Sequence, residues 1–411
     1  MKFWNKTPLS QAIVKISQLF LLGAALCLAA CSNTRDNSEL SAKQPDIAEP
    51  ALKLGAPQKI KNDGSVQIYP TEFAYLAGWN QENHAAAFSS FQRSCQSWQS
   101  QPDNKILGGV FELGHIGDWK RLCGLVVAKG EEKQFFETWF QPFAVADNSG
   151  FEGLFTGYYL PELHGSYQKT ERYHVPIYGV PGDMLKREGK TGRLENGKFV
   201  PYYSRAEISA GALKDKNYEV LWVDDEVDAF FMEVQGSGRI VMEDGRVQGV
   251  GFAAKNGRTY YAIGKWLTDI GAIPKEEISM QSIRAWIDKH PEEGRQLLLK
   301  NPSVVFFRLT ESKTAAGPIG TMGAPLTAGY SLAVDRSYLP LGVPLWLDLE
   351  PPAGAERLRR LVMAQDTGSA IKGLLRGDIY WGHGQQAGEI AGGMKAKGRY
   401  FLLIPKKLAL G

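Results

Sequence analysis

The sequence predicts a mainly β fold with α elements, divided into two domains. Three observations carry this. From residue 150 onward, short apolar or β-branched runs recur between Gly, Asp, Asn and Pro, the pattern of an antiparallel barrel or sandwich. Residues 69 to 145 show helical spacing instead. The part available for folding, about 350 residues, exceeds what one hydrophobic core usually organises.

The N-terminal end stands outside that fold. Lys2, Lys6 and Lys15 precede the apolar stretch Leu19 to Ala30, which is too short for a spanning helix of about 20 residues. Residues 1–30 therefore read as an export signal. Leu28-Ala29-Ala30-Cys31 resembles the lipobox of bacterial lipoproteins. That resemblance implies cleavage before Cys31 and its lipidation, and Ser32 after it implies the outer membrane, with the protein facing the periplasm. The alternative is a plain secreted protein with an incidental Cys. Residues 32–61 are polar, contain three prolines and lack periodicity, which predicts a flexible tether.

Next come the helices. Trp79 to Trp98 places Ala86, Phe88, Phe91, Cys95 and Trp98 on one side, and Trp119 to Val127 and Glu131 to Phe140 are further helix candidates. Cys95 and Cys123 are an even pair in an exported chain, which predicts a disulfide worth roughly 3 kcal/mol. Two buried thiols are the alternative.

The strands follow: VLWV from Val220, AFFMEV from Ala229, Arg239 to Met242, and Val247 to Phe252. A helical pair interrupts them, with Ser279 capping Met280 to Lys289 and Pro291 opening the second helix. The runs VVFFRL, AGYSLAVD, PLWLDL, RRLVMAQD, DIYWG and GRYFLLIP then return to strand.

Charge and motifs narrow the function. The formal charge is +3 with no long basic run, which argues against a nucleic-acid partner. The six histidines are scattered and lack metal-ligand spacing. No G-x-S-x-G elbow occurs, and Gly236-Ser237-Gly238 lacks the rest of a phosphate loop.

Three aspartates sit in distinctive settings: Asp335 in SLAVDRSYLPLGVPLWLD, Asp366 in AQDTGSAIKG, and Asp378 in RGDIYWGHG. Upstream stand FTGYY (155–159), YSRAEI (203–208), EVQGSGR (233–239), NPSVVFF (301–307) and GPIG (317–320). The ordered set, spanning roughly residues 70 to 405, resembles the membrane-bound lytic murein transglycosylase A family with its "3D" domain. The resemblance implies a double-psi β-barrel domain built from residues 62–160 and 301–408, with the N-terminal helices in its first segment. A smaller β-barrel domain, 161–300, is inserted, and a deep cleft lies between the two. It further implies cleavage of the β-1,4 bond between N-acetylmuramic acid and N-acetylglucosamine, leaving a 1,6-anhydro ring, with no metal or cofactor. The substrate would be the glycan strands of peptidoglycan, and proteins of a wall-synthesis complex are further candidate partners. Ser369 stands where the family often has a second Gly after Asp-Thr-Gly.

Such a reaction can run on one carboxyl group. The acid protonates the leaving oxygen, and the resulting carboxylate takes the proton of the sugar's own C6 hydroxyl, a nucleophile already tethered in place. Asp378 is the family-matched acid/base, and its neighbours Ile379, Tyr380 and Trp381 suit the raised pKa this needs. Asp366 reads as a turn residue or a supporting group, and Asp335 as structural. Thr156, Gly157, Tyr158, Gln235, Gly236, Ser237, Lys372 and Trp381 are the substrate-binding candidates. Tyr159, Tyr202 and Tyr203 offer further rings, though most aromatics serve the core. Gly236 and Gly238 would allow close approach of a sugar. The rival readings are a non-catalytic wall-binding lipoprotein and a two-carboxylate hydrolase using Asp366 with Asp378.

Overall fold

The computed structural model describes residues 51–59, 65–111, 113–310, 317–350 and 356–409. The export signal, Cys31 and the tether up to residue 50 lie outside them. Residues 51–59, expected as the end of that tether, pack instead on the fold. Leu52 and Leu54 lie against the main core, and Gln58–Lys59 pairs with Gln67–Pro70. Apolar contact is joined by hydrogen bonds, with the Gly55 N–H donating to the Pro70 carbonyl (2.8 Å) and the Thr71 hydroxyl to the Lys53 carbonyl (2.6 Å). No described helix is long and apolar enough to cross a membrane.

Among the described residues, six strands close on themselves. Lys395–Pro405 pairs with Pro344–Glu350, which pairs with Leu358–Asp366. Ser331–Val334, Arg376–His383 and Gly153–Leu160 follow, and the last pairs back onto Lys395–Pro405. Closure leaves these strands no free edge to template aggregation. Pro344 to Leu349 are all buried, because neither face of this strand is left to solvent. Trp346, for example, meets Trp79 edge-on at 5.2 Å, outside the strands. That is why this run does not alternate; its one charged residue, Asp348, is buried and paired with Arg357, Arg359 and Arg399.

Helix His84–Gln99 crosses the strand Leu358–Asp366. It starts later than its sequence suggests, because Asn83 caps it by accepting from the Ala86 N–H (3.2 Å), while Trp79–Gln81 forms a 3-10 turn. Its buried face includes Ser90 and Ser94, a polar pair that hydrophobic periodicity missed. Both meet Gln365, which is fully buried. The Gln365 amide donates to the Ser90 carbonyl and the Ser94 hydroxyl (2.8 Å each), and the Ser331 hydroxyl donates back at 2.6 Å. Helix Ile116–Cys123 stops at Cys123, short of Val127, and the Cys95–Cys123 disulfide joins the two helices.

A second sheet orders Val305–Thr310, Val247–Lys255, Ser237–Met242, Glu162–Ser166, Glu219–Val223 and Val175–Tyr178. Val305–Thr310, expected with the C-terminal strands, is an edge strand here. Its antiparallel partner Val247–Lys255 is distant in sequence, so the run alone could not name its sheet. AFFMEV, read as a strand, lies inside the helix Glu226–Gln235. Asp225 caps that helix by accepting from the Asp228 N–H (2.7 Å), and Gly236 ends it at φ +79°. A short apolar run cannot by itself separate a buried helix from a buried strand. Met280–Lys289 and Pro291–Leu299 form as expected, the first under its Ser279 cap.

Candidate active site

Asp366 opposes Ala333, Ala333 opposes Asp378, and Asp378 opposes Thr156 across four neighbouring strands. Directly opposed residues share a sheet face. Two strand spacings, roughly 10 Å, separate the backbones of the two aspartates. On the strand between them stands Ala333.

Asp378 Oδ1 accepts a 2.6 Å hydrogen bond from the Thr156 hydroxyl. Thr156 Oγ1 in turn accepts from Arg376 Nη2 at 2.8 Å. Arg376 also donates to the carbonyls of Leu154 (3.2 Å) and Gly377, so its guanidinium is tied to both strands. Burial pushes the Asp378 carboxyl up to about 6, against the downward pull of the Thr156 hydrogen bond and the Arg376 charge; the Asp366 charge adds a smaller upward push.

Asp366 is differently placed. One oxygen accepts from the Tyr158 hydroxyl (2.8 Å), and the other accepts from the Thr321 N–H (2.9 Å) and hydroxyl (2.8 Å). Tyr158 is thereby drawn over the row, its ring 5.4 Å from that of Tyr380. Burial and the nearby Asp366 charge keep the Tyr158 phenol neutral, far above its ordinary range. Asp335 holds a loop: it accepts from the Gly373 N–H (2.9 Å) and from the Ser337 hydroxyl (2.7 Å) and N–H (3.1 Å). Burial opposes its ionisation, but these bonds and the Lys372 charge together hold it below the ordinary carboxylate range.

The remaining candidates separate. Gly157 touches the Trp381 ring: a Cβ there would lie 2.7 Å from the indole and 2.9 Å from the Ala391 backbone. Gln235 reaches the strand of Thr156 and Tyr158 by accepting from the Tyr159 N–H at 3.5 Å. It leads into Gly236, which has open space beside it, and Ser237, which begins the next strand. Gly238 is not open to a sugar, because the Met232 side chain fills the space beside it. Lys372 is exposed and its charge bears on Asp335. Tyr202 is core, donating to Asp183 at 2.7 Å, and Tyr203 lies under Arg193 at 3.8 Å. Tyr159 points away from Tyr158, toward Met280 and Gly388. There it lines a cavity of about 410 Å³ with Phe231, Asp228, Arg284 and Glu389. A larger cavity, about 530 Å³, lies among Asp103, His115 and Lys120, none of which touches the aspartate row.

The MltA specific insert domain matches residues 154–308, and the 3D domain matches 330–404. Membrane-bound lytic murein transglycosylase A of Escherichia coli K12 is 41% identical over 266 residues, 63% of this chain and 67% of that protein. The crystal structure of MltA from Neisseria gonorrhoeae superposes with a TM-score of 0.72 at 32% identity, covering 88% of this chain and 98% of that one. The chain belongs to the membrane-bound lytic murein transglycosylase A family. A further family structure, E. coli MltA with bound chitohexaose, superposes with a TM-score of 0.63 at 28% identity, covering 88% and 97%.

Within this family fold, the insert match ends at residue 308, inside the strand Val305–Thr310 that the second sheet takes in. Three residues at the site were not among the candidates read from sequence. Thr321 binds Asp366 from the loop that directly follows GPIG (317–320), a motif that marked the loop but not this residue. Ala333 is an ordinary small residue until its two neighbours in the row are known. Arg376 did leave a signal, since two residues apart on a strand means one face, and Arg-Gly-Asp therefore aims Arg376 and Asp378 the same way.

Proposed function

We propose that this chain is a peptidoglycan lytic transglycosylase that cuts the β-1,4 bond between N-acetylmuramic acid and N-acetylglucosamine and leaves 1,6-anhydromuramic ends. Asp378 serves first as acid and then as base. The observation that carries this is the inequality of the two aspartates. Asp378 is half-buried, has its carboxyl raised to about 6 by desolvation, and keeps Oδ2 clear of donors among the described residues. Asp366 spends both oxygens on Tyr158 and Thr321. A two-carboxylate hydrolase needs its second carboxylate free to activate water. A structurally committed Asp366 favours the single-acid reaction, in which the substrate supplies its own nucleophile. Thr156, Tyr158, Gln235, Gly236, Ser237 and Trp381 would then form the glycan surface around Asp378, with Lys372 further out; Gly157 drops out, because the Trp381 ring fills the space beside it.

The products test this. Purified peptidoglycan digested by the protein should yield muropeptides ending in anhydro rings, seen by mass spectrometry. Ends carrying an added water would establish a hydrolase, and no released fragments at all would establish a binding module.

Lipidation at Cys31 would hold this enzyme on the outer membrane, in keeping with the "membrane-bound" in its relatives' name. Cys31→Ala should leave the unprocessed precursor and abolish outer-membrane fractionation. Normal fractionation of that variant would refute the anchor.

A further inference from the structure

The hydrogen bonds around Asp378 say which of its oxygens carries the working proton. The Thr156 hydroxyl has one hydrogen. Because Arg376 Nη2 already donates to Oγ1, that hydrogen is left for Asp378 Oδ1. Oδ1 is thus an acceptor, and the positive guanidinium beyond it favours negative charge on that side. A proton placed on Oδ1 would have to donate back to Thr156. The threonine hydrogen would then lose its acceptor, and the new proton would point toward the arginine charge. Arg376 is held in place independently of Asp378, by the carbonyls of Leu154 and Gly377.

We propose that Arg376 is a positioning residue that acts through Thr156 to fix the acidic proton of Asp378 on Oδ2. The inference rests on the reading of Asp378 as the acid and base, and it adds an atom-level route. The Oδ2 proton passes to the glycosidic oxygen, which takes the electron pair of the breaking C1–O bond. Oδ2, now a carboxylate oxygen, accepts the C6 hydroxyl proton while the C6 oxygen bonds to C1. The proton ends where it began, and no water is consumed. Thr156 also keeps the guanidinium one hydroxyl away from the carboxylate. Direct pairing would stabilise the ionised form and leave the group a poor acid near neutral pH.

The test compares Thr156→Val, Thr156→Ser and Arg376→Met with the wild type on purified glycan strands. For each, kcat and KM are measured across pH, and folding is checked by thermal melting. Wild-type kcat/KM should fall as pH rises through about 6, because the protonated acid is the working form. Thr156→Val is isosteric and removes a hydrogen bond that lowers this pKa. Its limb should move to higher pH, and kcat should drop about 10- to 100-fold. Arg376→Met should move the limb the same way, and Thr156→Ser should restore both limb and rate. A folded Thr156→Val enzyme with the wild-type limb and kcat overturns the relay. Should Arg376→Met fail to fold, the valine and serine variants still decide. The underlying reading fails separately: an active Asp378→Asn enzyme sinks the acid/base assignment, whereas an inactive one beside an unshifted Thr156→Val sinks only the relay.

Discussion

At the residue scale, Asp378 combines opposed influences. Burial raises its carboxyl toward 6, and one threonine hydroxyl and one arginine moderate the rise. This has a consequence for stability. The folded protein holds the Asp378 proton more tightly than the unfolded chain, whose carboxyl titrates near 3.8. The penalty for ionising it is therefore absent below about pH 4, grows as pH rises, and is complete above about 6. At about 1.36 kcal/mol per pH unit it amounts to no more than about 3 kcal/mol. Asp378→Asn cannot ionise, so it should melt higher than the wild type at pH 7.5 and no higher at pH 3.5. An equal gain at both values would show that the charge is not the cause. From sequence, Asp378 stood out only through the ordered motif set, since a lone Asp after Gly caps many turns. The role of Thr156 as its donor was not legible, because 222 residues separate them and only the parallel pairing of their strands brings them together.

At the scale of elements, legibility followed chemistry that acts locally. Ser279 and Pro291 each announced a helix start, and the structure begins helices at Met280 and Pro291. The same logic would have rescued AFFMEV, for Asp225 before it and Gly236 after it are the cap residues of the helix Glu226–Gln235. The apolar run outweighed them. Helix Gly384–Gly393 was missed because its four glycines suppress every helical signal. One of them, Gly388, packs on the Tyr159 ring, so a bulkier residue there would press on the strand that carries Thr156. The disulfide was predicted from export and parity, and its geometry follows from helix packing that places the Cys95 and Cys123 Cα atoms 5.6 Å apart. Across the same helix, the Ser90–Gln365–Ser94 network fixes the residue next to Asp366. The N-terminal helices thereby support the site without touching it.

For the whole molecule, sequence order gave the strands but not their partners. The ring closes where Lys395–Pro405 meets Gly153–Leu160, and no local pattern encodes a contact of that separation. The expected break at residue 300 fell short for the same reason, since Val305–Thr310 belongs to the sheet it pairs with. What this topology achieves is a short stretch of chain, Gly153 to Gly165, that passes from the closed ring into the second sheet. On its way it carries Thr156 to Asp378 and Tyr158 to Asp366. In the proposed reaction one carboxyl group, on Asp378, does the proton work of both steps. The most direct measurement is anhydro-muropeptide release from purified peptidoglycan by folded Asp378→Asn, read beside Asp366→Asn. Asp378→Asn should lose about 10²–10⁴-fold or more in turnover, while Asp366→Asn, which only reshapes the Tyr158 and Thr321 contacts, should lose less. Near-normal release by Asp378→Asn, or complete loss confined to a well-folded Asp366→Asn, would contradict the claim.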